Sequence, residues 1–114
     1  MEKRLISSYD EKNDTFVGKI DGENGYSADY GISDGIFLGI NKFKLPASIF
    51  VPNASEVLNT SKSVLESPDV RIVIDCDGIC LSFCMCIEDL KIFSTSCKNN
   101  FGIPNIKYEM DSNF

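Results

Sequence analysis

The sequence has no histidine and no tryptophan, and its only arginines are Arg4 and Arg71. Histidine is the commonest general base and metal ligand, and the one side chain whose ordinary titration falls near neutrality. Without it, Ser-His-Asp and Cys-His catalysis and His-bearing zinc sites cannot be built within one chain. Long apolar runs are missing too. The longest, Ile79 to Ile87, is nine residues and includes Ser82, against the roughly 20 needed to span a bilayer as a helix. The opening Met1-Glu2-Lys3-Arg4 leads into only two apolar residues before Ser7-Ser8. That is not a secretory signal, so the expected compartment is the cytoplasm.

What is present is acidic and half apolar. Seventeen carboxylates against eleven basic side chains leave a formal net charge of −6, with an isoelectric point near 4.5. Such a balance repels nucleic-acid phosphates and anionic lipid at long range, so neither is an expected partner. At 114 residues and 43% hydrophobic, the chain is sized for a single domain with one core.

Short strands separated by turn residues dominate the pattern. Residues 4–9 and 15–20 flank the polar cluster Asp10-Glu11-Lys12-Asn13-Asp14, a hairpin signature, because Asp and Asn side chains bond their own backbone. Tyr26, Ala28, Tyr30 and Ile32 alternate with polar or small residues, and Asp34-Gly35 turns the chain into Ile36, Leu38 and Ile40. Ser48–Val51 lies between Pro46 and Pro52, which suggests an edge strand. One helix is expected over 53–66. Asn53 would cap it, Glu56 would return the bond, and Val57, Leu58, Ser61, Val64 and Leu65 would form its apolar stripe up to Ser67-Pro68. Asn59-Thr60-Ser61 has poor helix propensity, so packing would have to hold that helix.

A β-meander is expected over 69–110. A two-residue turn at Asp77-Gly78 would set Cys76 opposite Ile79 and Ile72 opposite Phe83. A second turn at Glu88-Asp89 would place Met85 opposite Ile92 and Cys80 opposite Cys97. Neither face of strand 79–87 carries charge, as in a central strand covered on both sides. The final residues, Asp111 to Phe114, would fray. The fold class expected is α+β, a mainly antiparallel sheet with one packed helix between two strand-rich halves.

Several short motifs in the first half occur together: Tyr9-Asp10, Asp14 with Phe16, Asp34-Gly35-Ile36, and Ile49-Phe50-Val51 followed by Asn53-Ala54-Ser55. Over residues 5–58 the chain thereby resembles the prokaryotic family called domain of unknown function 2283. It departs from that family's pattern at Gly39-Ile40-Asn41-Lys42, where an acidic step is usual, and at Ala47-Ser48-Ile49. The resemblance implies a small β-rich domain with one helix, and no reaction.

Candidate chemistry is sparse. Cys76, Cys80, Cys84, Cys86 and Cys97 contain no Cys-x-x-Cys, and an odd count argues against a disulfide framework. Free cysteine packs as a small hydrophobe. Asp10, Glu11, Asp14, Asp21 and Glu23 crowd the first two turns, but Asp21-Gly22-Glu23-Asn24-Gly25 does not match a calcium loop. Asn41-Lys42-Phe43-Lys44 is the one basic-aromatic stretch and reads as a lysine-guarded edge strand. No metal or cofactor is expected.

The expected function is a non-enzymatic domain acting through protein contacts and pairing as a homodimer. Its interface would be the uncharged strand surface around Val73, Cys80, Cys84 and Phe93. Two other classes fit the composition. One is an acidic inhibitor or antitoxin-type protein occupying a basic surface, suggested by the low isoelectric point. The other is a thiol or redox protein using one of the five cysteines, which would require an accessible thiol of low pKa.

Overall fold

A computed structural model describes residues 1–114. The alternating pattern becomes nine strands: β1 (Glu2–Asp10), β2 (Thr15–Ile20), β3 (Tyr26–Ser33), β4 (Ile36–Asn41), β5 (Pro46–Val51), β6 (Val70–Cys76), β7 (Cys80–Ile87), β8 (Leu90–Lys98) and β9 (Ile106–Asp111). Strand takes 57% of the chain and helix only 7%. The protein is therefore mostly β, and the helix layer expected of an α+β domain is not there.

All nine strands form one sheet in the order β3-β4-β5-β2-β1-β9-β6-β7-β8. Every pairing is antiparallel except β1 with β9. β1 changes partner along its length, since Glu2–Arg4 pair with β9 and Leu5–Asp10 pair with β2. The sheet curls until its edges nearly meet, and the Tyr30 and Phe101 rings stack across the seam with centroids 4.9 Å apart. Alternate residues point inward. Ile36, Leu38 and Ile40 of β4, Ile72 and Ile74 of β6, and Leu81, Phe83 and Met85 of β7 join one continuous core. Closure explains the missing helix layer: the second half of the sheet covers the inner face of the first.

The segment after β5 forms two single turns, α1 (Ala54–Val57) and α2 (Lys62–Leu65), in place of one helix over 53–66. Asn53 does not cap α1. It adopts a left-handed conformation, φ 51°, and its side chain makes no capping bond. Asn59 is also left-handed, at φ 50°. Asparagine tolerates this region best after glycine, and it breaks the helix where propensity was weakest. Ser61 then caps α2 by accepting from the Val64 amide at 3.3 Å. The expected apolar stripe still reaches the core through Leu58 and Leu65.

Other differences are local. β5 is no edge strand, being paired with β2 on one side and β4 on the other. Pro46 sits at the start of the strand, where a missing amide is tolerated. The Asn41–Lys44 stretch is not an extended edge but the β4–β5 turn, with the Asn41 side chain accepting from the Phe43 and Leu45 amides at 2.9 and 3.1 Å. The C-terminal residues are tied down. The Ser112 hydroxyl donates to the Pro68 carbonyl at 2.6 Å, and Asn113 donates to Asp69 at 2.9 Å.

In the second half the register moves twice. Asp77 lies outside the first turn, its carboxylate accepting from the Ile79 and Cys80 amides, so Gly78-Ile79 becomes the loop. Cys76 then faces Leu81 and Ile72 faces Met85, a shift of two residues that leaves each side chain on its expected face. Glu88-Asp89 does form the next turn, but a bulge at Met85/Cys86 slips the rest of β8 by one residue. A slip of one exchanges faces. Met85 faces Phe93, and Cys80 faces Lys98 instead of Cys97.

Candidate functional site: an outer sheet face

The outer face of β2, β4 and β5 carries an apolar row that ends at Ser8 of β1, opposite Val17. Phe37 of β4 lies opposite Phe50 of β5, and Phe50 lies opposite Val17 of β2. Ile6 of β1 continues the patch from its place opposite Lys19. These side chains are 36% (Phe37), 44% (Phe50), 37% (Val17) and 50% (Ile6) exposed. Each is the outward member of an alternation whose inward members, Leu5, Phe16, Leu38, Ile49 and Val51, are core. The Phe37 and Phe50 rings are tilted at 40° with centroids 6.2 Å apart, and Phe37 covers the bare backbone of Gly31 on β3. Beside this row runs a second one, Asp29, Gly39, Ser48 and Lys19, two residues further along the same strands. The Ser48 hydroxyl and the Asp29 carboxylate close over the bare backbone of Gly39, and a side chain there would collide with them.

Two of the turn carboxylates, Asp14 and Glu23, tie separate elements together. Asp14 accepts from the Tyr9 hydroxyl at 2.7 Å, the Ser55 hydroxyl at 2.6 Å and the Ser55 amide at 3.0 Å. It thus bolts the β1–β2 hairpin to α1 at one end of the molecule. The Ser55 and Tyr9 bonds hold its pKa below the ordinary value, while burial and the Asp14 carboxylate push the Tyr9 phenol above its own. At the opposite end Glu23 accepts from Lys3 at 2.9 Å, Tyr108 at 2.9 Å and Asn41 at 3.1 Å. It links the β2–β3 turn to β1, β9 and β4. Burial and the bond to Glu23 push the Tyr108 phenol up to about 12. Every oxygen of the two carboxylates accepts a hydrogen bond within its network.

Clefts are small. The largest, about 250 Å³, is lined by Glu2, Arg71, Glu109, Asp111 and Phe114, under the ~300 Å³ at the low end of small-molecule sites. No three His, Cys, Asp or Glu side chains converge as a metal set. No helix is long and apolar enough to cross a membrane.

The residues expected to form an interface do not share one surface. Val73 and Cys84 face each other across β6 and β7, and Cys80 is exposed further along the same outer face. Phe93 is not with them, because the bulge turns it inward, opposite Met85 and against the core.

No family model, curated protein or solved structure matches the chain. What its side chains can do is therefore set by their own geometry. The motif residues Tyr9, Asp14 and Ser55 meet in a structural bolt. The exposed row Phe37-Phe50-Val17, with Ile6 beside it, is a contiguous apolar part of the outer face.

Proposed function

We propose that this protein is a non-enzymatic binding domain whose partner is, in the first place, a second copy of itself, docked through the outer face of β1, β2, β4 and β5. The observation that carries the reading is the contiguous row Phe37-Phe50-Val17 with Ile6. Exposed aromatic and branched side chains in one patch are costly in water and favour association.

Self-complementarity favours a second copy. β5 is the middle strand of β3-β4-β5-β2-β1. A two-fold axis along it lays β4 of one protomer over β2 of the other, so Phe37 meets Val17 and Phe50 meets its own equivalent. In the neighbouring row Lys19 then lies over Gly39, across which the Asp29 carboxylate reaches from the adjoining strand. This opposite-charge pairing fixes the register. The surface around Val73, Cys80 and Cys84 is the rival interface.

Sedimentation equilibrium of the wild-type protein and of Phe50→Asp and Val73→Asp variants decides between them. The reading expects a dimer in the wild type and in Val73→Asp, and a monomer in Phe50→Asp. Dissociation by Val73→Asp alone would move the interface to the second half. The resemblance of residues 5–58 to domain of unknown function 2283 is, on this reading, one of scaffold.

A further inference from the structure

Asp21-Gly22-Glu23-Asn24-Gly25 connects β2 to β3, and Asn24 is the only asparagine of the chain that precedes a glycine. Asn24 and Gly25 are both exposed and lie outside the two strands. Neither the Asn24 side chain nor the Gly25 N–H is engaged by a hydrogen bond from the chain. Asn24 also borders a surface cleft of about 160 Å³ with Lys19, Tyr26 and Ser48, so water reaches it. Other asparagines are held. Asn13 donates to Asp10 at 2.7 Å, and the buried Asn41 donates to Glu23 at 3.1 Å.

The flanks of the pair, by contrast, are fixed. On one side the Glu23 amide donates to the Ile20 carbonyl at 3.2 Å, and its carboxylate holds Lys3, Asn41 and Tyr108. On the other, the Gly25 carbonyl accepts from the Lys42 amide of the β4–β5 turn at 3.2 Å. Gly25 has φ 85°, where a side chain would be strained. The residue this turn requires is thus also the one whose main-chain nitrogen is least hindered.

We propose that Asn24-Gly25 is a self-modifying site, where deamidation through a succinimide loosens the β2–β3 turn as the protein ages. The Gly25 nitrogen gives its proton to hydroxide and attacks Cγ of Asn24. A C–N bond forms, the side-chain nitrogen leaves as ammonia, and a five-membered imide remains. Water then opens the ring at either carbonyl, giving aspartate or isoaspartate. The sum is asparagine plus water to acid plus ammonia, so no other reactant is needed. Isoaspartate routes the main chain through Cβ and the side-chain carbon, which lengthens it by one methylene. That extra length falls between two fixed points, Glu23 and the Gly25 carbonyl bonded to Lys42. One anchor must therefore give, and the Glu23 network ties β1, β4 and β9 to this turn. The proposal rests on the turn alone and does not depend on the dimer.

The test is timed incubation of the full-length protein at pH 8, folded and, in parallel, unfolded in guanidinium chloride. Mass spectrometry of the tryptic peptide Ile20–Lys42 follows the gain of one dalton and assigns it to a residue. Enzymatic methylation of isoaspartate identifies the product. Conversion at Asn24 is expected in the folded protein at a rate within a few-fold of the unfolded chain. The aged protein should melt about 5 °C below the fresh one. Asn24→Gln, which keeps the amide but disfavours the ring, should block conversion and show no fall in melting temperature after the same incubation. Asn24→Asp, which adds the charge without the longer main chain, should melt close to the fresh wild type. Conversion in the folded protein slowed by more than about tenfold relative to the unfolded chain would overturn the proposal, since the fold would then protect the site. Conversion first at another asparagine, or a fully converted protein that melts like the fresh one, would overturn it too.

Discussion

Two carboxylates carry much of the long-range polar structure, and their environments make different demands. Glu23 satisfies Lys3, Asn41 and Tyr108 together, and Asn41 is the one buried polar residue of the molecule. Glu23→Ala strands these partners and is expected to cost about 3 kcal/mol, the scale of unpaired buried groups. Glu23→Gln, which keeps an acceptor, should cost less. Urea denaturation midpoints check both. Asp10, Asp14 and Asp77 are held below their ordinary pKa of 3.8, mainly by hydrogen bonds from Asn13, from Ser55 and from the Cys80 amide respectively. A depressed folded-state pKa contributes stability above the unfolded value, and that contribution is lost as pH falls through the folded one. Stability should therefore decline below about pH 4, and Asp14→Asn should flatten the decline in a pH series of melting temperatures. Glu66 has the opposite sign, because a hydrogen bond to Glu11 and repulsion from it raise its pKa. Glu66→Gln should raise the melting temperature at pH 7 and have no such effect at pH 3.

At the scale of elements, alternation is the part of the fold most legible in the sequence. The first two hairpins, the inward sets Ile36-Leu38-Ile40 and Val70-Ile72-Ile74, and the strands after Asp77-Gly78 and Glu88-Asp89 all follow from periodicity and turn residues. Register was less legible. Asp77 could be read as a turn residue or as the residue that caps the turn, and only its bonds to the Ile79 and Cys80 amides decide. A bulge such as that at Met85/Cys86 has no signature in an apolar strand, which is why Phe93 changes face. The outer row was open to the same parity argument, since Val17, Phe37 and Phe50 are the outward residues between core neighbours.

Turn geometry also supports predictions. Glu88 and Asp89 both have positive φ, 52° and 65°, which suits Asn-Gly far better than two acids. The double substitution Glu88→Asn with Asp89→Gly should stabilise by about 1 kcal/mol. Gly35 has φ 82°, and a Cβ there would lie 2.6 Å from a Val57 methyl. Gly35→Ala should cost about 2 kcal/mol or more, from left-handed strain plus that collision. Chemical denaturation measures both.

For the whole molecule, closure settles what is hidden and what is left out. Curling a nine-stranded sheet lets each half bury the other's inner face, so no helix layer is required. Its ends are tied by Asp14 with Ser55 and by Glu23 with Tyr108. An outer apolar row remains that nothing in the chain covers, and in the proposed two-fold pairing Lys19 would meet the partner copy's Asp29 beside it. The opposing charges predict that Lys19→Asp weakens pairing, and that Lys19→Asp combined with Asp29→Lys restores part of it, read by the dimer dissociation constant. Sedimentation equilibrium of the wild type beside Phe50→Asp is the most direct measurement. The account predicts a concentration-dependent dimer that Phe50→Asp abolishes. A wild type that stays monomeric at high micromolar concentration, or a Phe50→Asp variant that dimerises as well as the wild type, would contradict it.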